Sequence, residues 1–209
     1  MSSNQYILMG DVVSSKDYDS KKLQKHLRSL TDKCNETFEN ELLSPYTITL
    51  GDEFQGIPNS LKTAIITLLF FEEECLRQSL KFKLHYVVNY GEINTDINPE
   101  IAYEMMGPGL TKARELLSSK KRNRKRFQLT LQDKVLSQQL NRLFEVLDSV
   151  IQSWKIDDFP LVIDMIENEN NAEVGKKHDK NRDQIWKRRN TLMVHEYNLL
   201  KEVILTSIK

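Results

Sequence analysis

Met9-Gly10-Asp11-Val12-Val13-Ser14-Ser15 and Thr49-Leu50-Gly51-Asp52-Glu53-Phe54-Gln55-Gly56 each set an acidic residue directly after a glycine, at the end of an apolar, strand-like stretch. Gln5 to Met9 reads as the strand before the first run. Tyr46 to Leu50, alternating Tyr, Thr, Ile, Thr, Leu, reads as the half-buried strand before the second. Between them Leu23, Leu27, Leu30, Cys34 and Phe38 recur at intervals of three and four, which predicts an amphipathic helix from Lys21 to about Asn40. A strand, helix, strand unit is normally a right-handed crossover between parallel strands, so both acidic turns are expected at one rim of one sheet. Phe54 to Ile57 runs back after Gly51 as an antiparallel strand. If that strand pairs with the first, a neighbour spacing of about 4.8 Å brings Asp11 within metal-sharing reach of Asp52. Carboxylates gathered in this way repel one another unless a cation or proton neutralises them. The pattern therefore points to a divalent cation used in phosphate chemistry, although a Gly-Asp pair also occurs as an ordinary turn.

The next segments complete the layer. Asn59 or Ser60, after Pro58, caps a second helix whose core stripe is Leu61, Ala64, Ile65, Leu68, Leu69, Glu72, Cys75 and Leu76, with Glu72 its one polar member. Phe82, Leu84, Tyr86 and Val88 alternate through a fourth strand that ends near Gly91. His85, on the other face, reads as a solvated or hydrogen-bonded side chain rather than a ligand. This order is the split βαβ sandwich, with helices expected on one face of an antiparallel sheet. Gly107-Pro108-Gly109 then opens a helix with core positions Leu110, Ala113, Leu116 and Leu117. The free amides at such a helix start attract anions, so the turn is either a phosphate site or simply the entry to a core helix. Lys120, Lys121, Arg122, Arg124, Lys125 and Arg126 form a basic run, read as a solvated loop or a phosphate contact, before the strand Phe127, Leu129, Leu131.

The two acidic runs, taken with Gly107-Pro108-Gly109 and Ala113-Arg114-Glu115-Leu116-Leu117, resemble the SatD family of bacterial proteins over most of the chain. More remotely, the first half is similar to the palm domain of class III nucleotide cyclases and GGDEF cyclases. That resemblance implies a nucleoside triphosphate held by Mg2+ or Mn2+ on Asp11 and Asp52, with Glu53 either a third ligand or a group supporting the ligands. It implies phosphate or nucleotide contacts from Ser14, Ser15, Gly107, Gly109, Lys112 and Arg114. Those cyclases place an asparagine and an arginine from the later helix on ribose and phosphates. Here that helix offers Thr111, Lys112 and Arg114 without the asparagine.

Beyond Leu131 a long helical pattern through Val135, Leu136, Leu140, Leu143, Phe144, Leu147, Val150, Ile151 and Trp154 reads as a connecting helix leading away from the sheet. A shorter helix follows Pro160. Val174, Gly175, His178, Ile185 and Arg188 then have helix-turn-helix spacing, with Asp179-Lys180-Asn181 as the turn and Trp186 assigned to the core. Arg182 to Val194 would be a recognition helix, carrying Arg182, Gln184, Lys187, Arg188 and Arg189 toward duplex DNA. A dimerisation or docking module, closed by Tyr197, Leu199, Leu200, Val203, Ile204 and Ile208, is the alternative.

The expected architecture is thus α+β: a ferredoxin-like palm domain (βαββαβ) over residues 1–132, then a connecting helix and helix-turn-helix domain over 133–209. Charged residues are 29% of the 209 and balance to a net charge of +0, so any nucleic-acid affinity must come from local clusters. No stretch is apolar enough to span a bilayer, and Met1-Ser2-Ser3-Asn4 is too polar to open a secretory signal. Cys34 and Cys75 fall on core helix faces and suggest free thiols in a cytoplasmic protein. Three functions fit. The first is a DNA-binding regulator, able to homodimerise, whose palm binds a metal and a nucleotide or other phosphorylated ligand. The second is a metal-dependent nucleotidyl transferase or cyclase. The third is a non-catalytic interaction scaffold.

Overall fold

The computed structural model describes residues 3–119 and 125–208, so Lys120 to Arg124 of the basic run lie outside the described residues. A five-stranded sheet has the order β2-β3-β1-β4-β5. Its strands are β1 (Ser3–Val12), β2 (Leu42–Ile48), β3 (Glu53–Pro58), β4 (Leu84–Ile93) and β5 (Phe127–Thr130). β1 is central and pairs antiparallel with both β3 and β4, while β5 joins β4 in parallel. Since β3 is antiparallel to both β1 and β2, those two run parallel and end at one rim. The crossover between them is α1 (Ser20–Thr37), started by Asp19, whose carboxylate accepts from the Lys22 amide at 2.9 Å.

Strand alternation divides the core in two. Leu8, Val12, Phe54, Tyr86 and Val88 face α1 and α2 (Leu61–Arg77). Ile7, Met9, Ile57 and Val87 face the other way, onto Leu110, Ala113 and Leu117 of α3 (Pro108–Leu117). The expectation of helices on a single face is therefore corrected: α3 covers the second face. It can do so because two glycines let backbones touch. A Cβ on Gly109 would stand 2.6 Å from the Gly91 carbonyl carbon, and one on Gly91 would stand 2.6 Å from the Gly109 Cα. Asn89, buried on β4, donates its amide to the Gly109 carbonyl at 2.9 Å and seals the contact.

The long helix α4 (Lys134–Ser153) also departs from expectation. It packs against β5 rather than leaving the sheet: Phe144 stacks on Phe127 at 5.1 Å, and Phe127 on Tyr86 at 5.5 Å. The apolar cluster of the first face continues without a break through Trp154 to Tyr197 and Ile208. Four further helices complete this side: α5 (Phe159–Glu167), α6 (Asn171–Lys177), α7 (Arg182–Thr191) and α8 (Val194–Ser207). Trp186 is 55% exposed, so the aromatic anchor of the helical part is Trp154, which donates to the Leu192 carbonyl at 2.6 Å. No described helix is long and apolar enough to cross a membrane.

Glu72, the polar position in the α2 stripe, has a buried partner. Arg126 donates to both Glu72 carboxylate oxygens at 3.0 and 2.7 Å, to Asp148 of α4 at 2.8 Å and to the Leu84 carbonyl at 3.0 Å. Burial by itself would lower the Arg126 pKa, but Glu72 and Asp148 outweigh it and hold the guanidinium charged. One side chain thus ties α2, β4 and α4 together. Removing one member of a buried pair strands the other charge, so Arg126→Ala is expected to cost about 3–5 kcal/mol in urea unfolding. The exposed neighbour change Lys125→Ala should cost under about 0.5 kcal/mol.

Candidate functional site

The register of β1 assembles the rim. Asp11 lies opposite Glu53 on one neighbour and opposite His85 on the other. Alternation puts all three on the α3 face, in a row across three adjacent strands. Asp11 Oδ2 stands 4.0 Å from His85 Nδ1. On the other flank Arg114 of α3 donates to Glu53 Oε2 at 3.2 Å and to Gln55 Oε1 at 3.3 Å. Gln55, buried, also donates its amide to the Ala102 carbonyl, and so holds the 94–107 segment against the sheet.

Asp52 reaches the rim differently. Its carbonyl accepts from the Val12 amide at 3.0 Å, which closes the hairpin tip against the end of β1. Gly51 adopts φ +84, a left-handed conformation that suits glycine. Asp52 lines a cavity of about 250 Å³ with Ser15, Lys16, Ser20 and Gln24, on the α1 side. The turn leading there carries Ser14 at φ 54, with the Asp17 amide bonded to the Ser14 carbonyl at 2.9 Å. A larger cavity of about 750 Å³ opens on the α3 side, bounded by Met9, Gln55, Tyr103, Leu110, Thr111 and Arg114. Gly107 and Gly109 serve the approach of α3 to β4, where a Cβ on either would meet backbone within 3 Å. Lys112 points to Glu115 at 3.4 Å on the exposed side of α3.

The direct partner of Asp11 is therefore Glu53, with Asp52 bonded through its main chain, and His85 and Gln55 join the row. Parity in β1 and β3 is the signal for this: Ile7, Met9 and Asp11 share a face, as do Glu53, Gln55 and Ile57. Among the described residues no group of three or more His, Cys, Asp or Glu side chains is placed to hold a metal unaided. Two carboxylates side by side still suit Mg2+ or Mn2+, because such ions usually take one or two protein carboxylates and complete their shell with phosphate oxygens and water.

The expected DNA-reading helix is α7, and most of its expected readers are used internally. Gln184 completes a capping box with Asn181. Arg188 pairs with Asp158. Arg189 is buried and donates to the Met165 carbonyl at 2.6 Å, the Asn168 carbonyl at 2.7 Å and Asn171 Oδ1 at 2.9 Å. Arg182 and Lys187 remain exposed. The α6–α7 turn is tight, with Asp179 at φ 51 and Gly175 against the Lys180 carbonyl. It functions as a packed corner of the molecule.

The SatD family model matches residues 6–190. This chain belongs to the SatD family. No curated protein matches it. Among solved structures it is similar to a bacterial light-regulated adenylyl cyclase, at 12% identity over 62% of this chain and 76% of that one, TM-score 0.44. It is similar also to the guanylate cyclase domain of RhGC from Catenaria anguillulae in complex with GTP, at 13% identity over 58% and 76%, TM-score 0.39. A third is the catalytic core of a rhodopsin-guanylyl cyclase with converted specificity in complex with ATPαS, at 15% over 57% and 76%, TM-score 0.36. The pairing of Arg188 with Asp158, the burial of Arg189 against main-chain carbonyls and the use of Gln184 as a helix cap correct the expectation that this SatD protein is a DNA-binding regulator.

Two stability consequences follow from the tail. Arg189→Ala removes a charged donor from three acceptors and is expected to cost about 2–4 kcal/mol in urea unfolding. Asp164 accepts from His178 at 2.7 Å and Lys177 at 3.2 Å. Burial raises its pKa, but those two bonds outweigh burial and hold the carboxyl below its ordinary range. A depressed carboxylate contributes its full stability above the ordinary carboxylate pKa and loses it as pH falls through the folded value. The stability gap between wild type and Asp164→Asn should therefore be widest near pH 7 and close as pH falls below about 4.

Proposed function

We propose that this SatD protein is a metal-dependent nucleotidyl transferase of the cyclase type, acting on a nucleoside triphosphate at the rim of its sheet. The observation that carries this reading is the opposition of Asp11 and Glu53 on adjacent strands, with Asp52 next in the chain beside the Ser14–Lys16 turn. Carboxylates on adjacent strands at a sheet rim are the kind of ligand that Mg2+ takes one or two of beside substrate phosphates, which supports a cation site here. In this reading Asp11 and Glu53 hold Mg2+ or Mn2+ together with phosphate and water oxygens, and Asp52 stands next to them at the rim on the α1 side. Such an ion would neutralise triphosphate charge and stabilise the leaving pyrophosphate.

Ser14, Ser15 and Lys16 would receive the phosphates on the α1 side, and Arg114 would face the ligand from the α3 side. The reaction balances simply. A ribose hydroxyl oxygen bonds to the α-phosphorus, the bond from that phosphorus to the bridging oxygen breaks, pyrophosphate departs, and the hydroxyl proton passes to solvent. Thr111 stands in the helix that carries asparagine in the cyclases, so orientation of the ribose must rest on different contacts here.

Incubation with a panel of nucleoside triphosphates and Mg2+ or Mn2+ should release pyrophosphate and yield a new nucleotide product. Asp11→Asn and Asp52→Asn should each lower that rate about a hundredfold, the scale expected when a group stabilising transition-state charge is lost. Absence of pyrophosphate from wild type with every triphosphate and both metals would count against the assignment.

A further inference from the structure

The rim row carries its own counter-charge. Two carboxylates face each other at Asp11 and Glu53, and the cation that offsets them on the β3 side belongs to the protein: Arg114, reaching across from α3. Its guanidinium bridges two side chains of one strand, Glu53 at 3.2 Å and Gln55 at 3.3 Å. It is 40% exposed, whereas Glu53 is 17% exposed, so the cation lies at the outer edge of the contact. It also borders the cavity of about 750 Å³, beside Thr111 and Gly107. The side chain therefore has room to leave Glu53 without any shift of α3, whose position is set by the Gly91–Gly109 contact.

We infer that Arg114 is a built-in competitor for the metal: a tethered cation that occupies Glu53 until a metal-bearing phosphate ligand displaces it. The inference rests on the reading of Asp11 and Glu53 as metal ligands. The chemistry is an exchange of cations on one carboxylate. Arginine stays charged at any ordinary pH, so it cannot yield its place by losing a proton and must move instead. Metal alone offers the displaced guanidinium nothing in return. A ligand carrying phosphates does, because its anionic oxygens can take over the fork-shaped donor that Glu53 releases. Metal and phosphorylated ligand thereby bind as a coupled pair, each raising the affinity for the other by the same factor. The site is held weak toward free cation and becomes strong only when substrate arrives with it.

The test is Mn2+ binding to the full chain, measured by the loss of the free-ion paramagnetic resonance signal, with Mn2+ alone and with the non-hydrolysable imido analogues of ATP and GTP. Arg114→Gln should bind Mn2+ alone at least about fivefold more tightly than wild type, the low end of ordinary coupling. The same variant should bind the Mn2+–analogue complex more weakly. A merely structural arginine would not behave this way, since its loss would loosen the site toward both. Glu53→Gln should abolish the gain when combined with Arg114→Gln. Arg114→Lys, which keeps the charge but not the fork, should fall between the two, and it decides the matter if the glutamine variant does not fold. Unchanged or weaker Mn2+ binding in Arg114→Gln or Arg114→Lys, with wild type binding normally, overturns the competitor role alone. Failure of wild type and every variant to bind Mn2+, with or without either analogue, overturns the metal reading itself and the inference with it.

Discussion

Everything at the candidate site depends on the position of β1 between two antiparallel partners. A strand hydrogen-bonded on both sides has its register fixed twice, and a slip of one residue would turn every side chain to the opposite face. The apolar residues of both faces forbid that slip: Leu8 and Val12 are buried toward α1 and α2, and Ile7 and Met9 toward α3. The cost of moving them holds Asp11 opposite Glu53 and His85. The Asp11–Glu53 pair, offset on the β3 side by Arg114, is thus held in place by hydrophobic burial several residues away.

The second constraint is the close approach of α3. Without side chains at Gly91 and Gly109 the helix sits directly on β4, and Arg114 is thereby brought within reach of Glu53 and Gln55. The same contact leaves the 94–107 segment to pass over the sheet edge, pinned by Gln55 to Ala102 and by the Ala102 amide to Thr47 at 2.9 Å. The cavity on that face is what remains between helix, segment and sheet. Packing requirements and site geometry here have a common cause.

The helical part contributes rigidity through buried polar groups. Arg126 joins α2, β4 and α4, and Arg189 closes the end of α5 and the start of α6 by bonding to main-chain carbonyls and Asn171. Tyr197 and Lys201 of α8 both reach Glu73 of α2. These contacts explain why residues 133–208 form a layer against the sheet, sharing its apolar cluster. They also explain the failure of the DNA-reading expectation. An arginine on a helix reads as solvent-facing from sequence, and the capture of Arg189 by carbonyls about twenty residues away in the chain leaves no periodic trace.

Local periodicity alone was enough to find β1, the β2–β3 hairpin, α1 and α2, because alternation and three-four spacing record which side of each element meets the core. It also marked Glu72 as an anomaly, and a buried charge implies a partner somewhere. Only the tertiary structure could say that the partner was Arg126, that α3 crosses to the second face, that α4 folds back on β5, and that Arg114 stands against Glu53. The two arginine pairs join residues 54 and 61 apart in sequence, and an element's own periodicity does not say which face of the sheet it will cover. A single chain's pattern shows that a face will be covered; the geometry of the folded molecule decides by what.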